Sequence, residues 1–198
     1  MKAVLCNRLT LWVLFPTTVA LLLPGSAHAL PGDTFQEAKE TLRSSTLFEG
    51  VPLPVEQPGL QNYSLKTPYD GGEAVLYLYL ENGTVRSEAL QLRYPDTVVA
   101  FDREGGLGLD LVEATWGEGV AQDFVASRYT DVIEEPHRSP SYFYLGEQYG
   151  YMVSTLPEYR GDSGIYTLFL MDHAAWEDAR ELNRFCVANP NHEDCLGL

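Results

Sequence analysis

Residues Glu73 to Tyr94 leave this chain little freedom in its local structure. Ala74, Leu76, Leu78 and Leu80 alternate along one side of a first arm. Leu90, Leu92 and Tyr94 alternate against charged residues in a second. A period of two with one apolar side is the pattern of a half-buried strand. Between the arms stands Asn82-Gly83, a pair that tolerates the two positive φ angles of a tight hairpin turn. Pro95-Asp96 ends the second arm. A lone hairpin is marginal in water, so the remaining chain must supply strands and helices that cover its apolar side.

The flanking sequence supplies such elements. Thr34-Phe35-Gln36-Glu37 reads as a capping box, and Phe35, Ala38 and Leu42 recur at helical spacing, which predicts a helix over about 34–44. Pro52, Pro54 and Pro58 make 50–60 an extended connector. Residues 102–108 are glycine-rich, and Asp110 is placed to cap a short helix over Leu111 to Trp116, ended by Gly117. Phe124 to Ile133 reads as a strand and Glu134 to Pro140 as a charged turn. Tyr142 to Leu145, Tyr149 to Thr155 and Ile165 to Met171 read as three further strands. Asp172 caps a last helix to about Phe185, with Ala175, Trp176, Ala179 and Leu182 on one side.

Strands that follow one another without an intervening helix imply an antiparallel sheet. The expected class is α+β: a hairpin plus a meander packed with two or three helices, arranged as one domain over 30–185. A candidate boundary near 96–105 would divide it into two small helix-plus-sheet units. Asp110-Leu-Val-Glu-Ala-Thr-Trp-Gly-Glu118, followed by tyrosine-rich strands, resembles the small helix-plus-sheet domains of outer-membrane-assembly lipoproteins and β-lactamase-inhibitor proteins. That likeness covers about ten residues and the order of elements. It implies a fold and no particular function. The lipid-bearing cysteine of the lipoproteins has no counterpart here.

The first 29 residues have the three parts of a secretory signal peptide. Lys2 and Arg8 supply positive charge, Leu9 to Leu23 is almost wholly apolar, and Ala27-His28-Ala29 offers small residues for cleavage. The apolar run contains Pro16 and is shorter than the roughly 20 residues of a membrane span. The expected working chain is residues 30–198, secreted or periplasmic, with no transmembrane segment after cleavage. Loss of Lys2 and Arg8 takes the formal net charge of −15 two units further negative. That acidity argues against nucleic acid and against anionic lipid heads, and allows a cationic partner, a divalent metal or simply a solvated, soluble surface. Cys186 and Cys195 then read as a disulfide closing a C-terminal tail, 186–198, as suits an oxidising compartment.

Several short patterns touch on chemistry. Gly161-Asp162-Ser163-Gly164 resembles the nucleophile segment of chymotrypsin-like serine proteases, in which Ser is served by a His base and a buried Asp. Ile165 stands where that family has Gly, and His137, in Glu-Glu-Pro-His-Arg, is the sole histidine between residue 29 and Ser163. A polar turn feeding a strand explains the same residues, and explains the overlapping Arg160-Gly161-Asp162. His173 and Glu177, one helical turn apart, form an incomplete cation site with Asp172 or Asp178. Asp102 to Asp110 lacks the alternating acids of a calcium loop and the Lys-Ser/Thr of a phosphate loop. Asn62-Tyr63-Ser64 and Asn82-Gly83-Thr84 match the glycosylation pattern. No segment reads as a cofactor or metal site.

The tyrosines stand out. Tyr142, Tyr144, Tyr149, Tyr151, Tyr159 and Tyr166 crowd one stretch of chain. Alternation pairs Tyr142 with Tyr144 on one strand face and Tyr149 with Tyr151 on the next, and Tyr77 with Tyr79 adds a similar pair. Tyrosine joins a large apolar ring to a polar tip, which suits recognition surfaces and half-buried strands alike. The function these features favour is a non-catalytic, exported, acidic binding protein. Its candidate contacts are Tyr142, Tyr144, Tyr149 and Tyr151, and its partner is another exported or envelope protein. The alternatives are an exported metal-dependent or serine hydrolase, using His137, His173 or Ser163, and a structural envelope component.

Overall fold

The computed structural model describes residues 30–57, 59–97, 99, 101, 103, 107–134, 140–157 and 164–195. At its centre the hairpin pairs β2 (Gly72–Glu81) with β3 (Thr84–Arg93) across Asn82 and Gly83, at φ 52° and 82°. A bulge next to the turn shifts the register between Tyr79 and Leu80. Arg86, in the bulged stretch, ion-pairs with Glu81 and with Asp172 (2.8 Å), the residue that caps the last helix.

One strand comes in ahead of the hairpin. β1 (Asn62–Tyr69) pairs with β2, joined by Asp70-Gly71. The other strands are β4 (Arg128–Ile133), β5 (Ser141–Leu145), β6 (Gly150–Pro157) and β7 (Gly164–Met171). All seven form one antiparallel sheet in the order β1-β2-β3-β7-β6-β5-β4. After β3 the chain crosses to the far edge and meanders back, so that β7 lands beside β3. This pairing fuses the two halves into a single α+β sheet.

Among the described residues the α-helices number four, where two or three helices were expected. α1 (Phe35–Leu42) carries the capping box: Thr34 Oγ1 accepts from Glu37 N (3.3 Å), and Glu37 Oε2 accepts from Thr34 N (2.9 Å). The bond from the Thr34 backbone first, then one that the Thr34 hydroxyl donates to the same oxygen (2.7 Å), hold the Glu37 carboxyl below its usual range. α2 spans Leu107–Trp116 and α3 spans Glu118–Ala126. Gly117, at φ 88°, ends one and begins the other. The expected strand from Phe124 therefore starts only at Arg128. Val120, Ala121 and Phe124 are buried at helical spacing, and that burial overrides the weak helix propensity of Gly119. α4 (His173–Ala188) starts at Asp172, whose carboxylate accepts from Ala175 N (2.6 Å).

The sheet is covered unequally. α1, α2 and α3 lie on one face, where Phe35, Leu42, Trp116 and Phe124 join Leu76, Leu78, Leu90 and Leu170 in the main core. α4 lies on the other face, but only over the β4–β7 half, where Trp176 packs with Ile133, Phe143 and Met171. Arg184 and Arg180 of α4 reach Asp131 of β4. The Arg184 hydrogen bond is the main reason the Asp131 carboxyl sits below its usual range. Tyr77 and Tyr79, whose rings stack 6.4 Å apart, lie on this second face of the β1–β3 half.

Cys186 and Cys195 stand as a disulfide pair with Cα atoms 5.4 Å apart, both nearly fully buried. The pair ties the end of α4 to the 3-10 turn Glu193–Cys195. Reduction is expected to lower stability by about 2.5 kcal/mol, the closure entropy of so short a loop. Urea unfolding with and without reductant measures it. No helix among the described residues is long and apolar enough to cross a membrane.

Candidate functional site

The structure separates the four predicted tyrosines. Tyr144 of β5 and Tyr151 of β6 are register partners and so share a face, the one beneath α3. Tyr151 is fully buried there, its ring 4.9 Å from that of Phe124. Its hydroxyl donates to Asp123 Oδ2 (2.8 Å) and approaches Val120 O (3.3 Å). Burial first, then the Asp123 hydrogen bond, hold its phenol far above the ordinary range. Tyr151 is thus a core residue, unable to touch a partner. Tyr149 is half-buried against the main core, in the turn just before β6, and burial raises its phenol.

The other two meet at the sheet edge with residues that sequence reasoning passed over. Tyr129 of β4 opposes Tyr144, with ring centroids 5.7 Å apart and edge to face. Phe124 also meets the Tyr144 ring edge to face (6.0 Å). The Arg103 guanidinium lies over the Tyr144 ring (5.2 Å) and donates to the carbonyls of Val125 (3.0 Å) and Ser127. Those carbonyls lie at the C-terminal end of α3, where positive charge is favourable. Around this pinned ring, Tyr129, Tyr142 and Val125 are 48%, 39% and 41% exposed. Burial raises the Tyr144 phenol, and Arg103 partly offsets it.

Why this corner forms is legible locally. β5 alternates Tyr142, Phe143 and Tyr144, so Phe143 turns to α4 while both tyrosines turn the other way. β4 is the last strand of the sheet, and α3 ends just before it, so nothing among the described residues covers Tyr129 and Tyr142 from beyond the edge. Tyr129 was visible as an aromatic in an expected strand. Arg103 had no sequence signal, since its partner ring lies 41 positions away.

Of the patterns with chemical potential, Arg160 to Ser163, His137 and Tyr159 lie outside the described residues, as do residues 1–29 and most of 102–106. His173 and Glu177 are exposed on α4, and Glu177 accepts from Arg180 (3.1 Å). Asp172 and Asp178 both face Arg86. Among the described residues, no group of three or more His, Cys, Asp or Glu side chains is placed to hold a metal ion. Comparison with protein-family models, with curated proteins and with solved structures finds no match to this chain.

Proposed function

We propose that this chain is an exported, acidic, non-catalytic binding protein that recognises another exported or envelope protein through the Tyr129–Tyr142–Tyr144 corner. The observation that carries the reading is the corner itself: two exposed tyrosines around a third, the third held by Phe124 and Arg103. Rings immobilised before contact lose little entropy on binding, and Tyr and Arg are over-represented where interface energy concentrates. The acidic composition favours a partner with a cationic surface. Export is supported by the pattern of residues 1–29 and by the buried Cys186–Cys195 pair.

The test is cross-linking capture on the native extracytoplasmic fraction, with the wild-type chain and a Tyr129→Ala, Tyr142→Ala variant as baits. Both side chains are partly exposed, so the variant should lose about 1 kcal/mol per site and stay folded, which its own urea unfolding checks. Affinity for the captured protein should fall at least about tenfold, the effect of losing a hot-spot side chain. The same capture should weaken with added salt. Equal capture by a folded variant would remove the corner from the reading.

A further inference from the structure

Glu88 lies in the middle of β3, on the face beneath the helices, opposite Leu78 of β2 and Leu170 of β7. Nothing in the alternating pattern of that strand prepares for it. It occupies a position of the apolar row that continues in Leu90 and Leu92, and it is fully buried. Its Oε2 accepts from Trp116 Nε1 of α2 at 2.6 Å. Its Oε1, equally buried, has no hydrogen-bond partner among the described residues.

The titratable groups around it are acidic or phenolic. Asp33 acts from the segment before α1, and the Tyr149 phenol, which feels Asp33, Asp123 and Glu88 together, acts from the β5–β6 turn. Asp123 of α3 is held by the turn and by Tyr151. β2 and β7 present leucines. Among the described residues no basic side chain is placed beside these groups to balance a negative charge on Glu88. An ionised carboxylate in such surroundings is strongly disfavoured, so the group keeps its proton instead.

We propose that Glu88 is a proton-dependent clasp: the neutral carboxyl receives the Trp116 indole and holds α2 on the sheet, and loss of its proton loosens α2. α3 follows α2 directly, across Gly117. Among the described residues the other side-chain hydrogen bonds from the rest of the fold to α2 run from Ser45 Oγ (3.0 Å) and Thr46 Oγ1 (3.4 Å) to Ala114 O, whereas α3 is anchored separately through Asp123. Desolvation raises the Glu88 carboxyl well above its ordinary range, the Trp116 bond works the other way, and Asp33 adds to the rise. The folded state therefore keeps this proton to higher pH than the unfolded chain. Stability is undiminished below the ordinary glutamate range and falls as pH rises from there toward the folded-state value. The clasp does not depend on the partner reading, although α3 backs the tyrosine corner through Phe124.

The test compares denaturant unfolding of the purified wild-type chain and Glu88→Gln from pH 4 to pH 9. Glutamine keeps an acceptor for Trp116 and cannot ionise. The wild-type unfolding constant should climb relative to that of the variant by up to about tenfold per pH unit, the limit for one proton, while the two agree at the acid end. In the wild type alone, hydrogen exchange of the α2 amides, corrected for intrinsic rate, should accelerate over the same range ahead of the α4 amides. Parallel stability profiles, or α2 and α4 accelerating together, would overturn the proposal. So would the absence from the wild type, just above the ordinary glutamate range, of an infrared carbonyl band from a neutral carboxylic acid, a measurement that needs no variant to fold.

Discussion

Asp123→Ala is expected to destabilise the fold by about 4 kcal/mol, a loss of the size that breaking a buried polar network produces. One carboxylate on α3 serves four donors. Oδ1 accepts from the amides of Glu147 (2.9 Å) and Gln148 (3.2 Å). Oδ2 accepts from the Tyr149 amide (3.3 Å) and the Tyr151 hydroxyl (2.8 Å). The β5–β6 turn is thereby folded onto the helix that covers it. Bonds to a charged acceptor contribute about 1.5–3 kcal/mol each, but the amides of exposed Glu147 and Gln148 can recover water, which brings the sum down to the stated figure. The Tyr151 hydroxyl keeps only its long contact to Val120 O.

Graded variants give the claim its edge. Asp123→Asn retains one acceptor oxygen and turns an amide donor toward groups that themselves donate, so about half the loss is expected. Tyr151→Phe removes a single bond, about 1 kcal/mol. Urea denaturation should give the order Ala, Asn, Tyr151→Phe from most to least damaging. An alanine variant as mild as a surface change would mean that the turn holds itself.

The same residue explains what could be read from the chain and what could not. The hairpin, the capping box at Thr34 and the cap at Asp172 are local signals, and each stands in the fold within a few residues of its reading. β1 went unread because Pro68 interrupts its alternation, although Asp70-Gly71 marks the turn into β2. Pro68 is tolerated because β1 is an edge strand. α3 went unread because two glycines open it. That omission carried into the site: alternation correctly places Tyr142 and Tyr144 on one face, but only the presence of α3 decides which of Tyr144 and Tyr151 remains near solvent. Asp123 and Glu88 left no trace in the sequence, since their partners, Tyr151 and Trp116, lie 28 positions away in each case.

Gly150→Ala is expected to destabilise by about 3 kcal/mol, at the upper end of what one added methyl does in a packed interior. The backbone there is ordinary extended strand, pairing with Leu145 and Met171, so alanine has no conformational reason to fail. The obstacle is Trp176. A Cβ on Gly150 would fall far inside van der Waals contact of the indole Cγ and Cδ1 and of the Trp176 Cβ. The indole cannot turn aside: Nε1 donates to Tyr151 O (3.2 Å), its ring meets Phe143 edge to face (6.1 Å), and Arg180 lies over it (5.2 Å). The methyl must lift α4 away from β6 or push the strand into the main core. Trp176→Ala alone should lose about 3–5 kcal/mol through the cavity it leaves. The two losses should not add. With the indole gone, the methyl introduced by Gly150→Ala points into vacated space, and its penalty should shrink to within about 0.5 kcal/mol of zero. A double-mutant cycle by urea unfolding measures the coupling. A strongly sub-additive cycle assigns the glycine to close approach of α4, whereas additive losses would place the requirement in the β6 backbone.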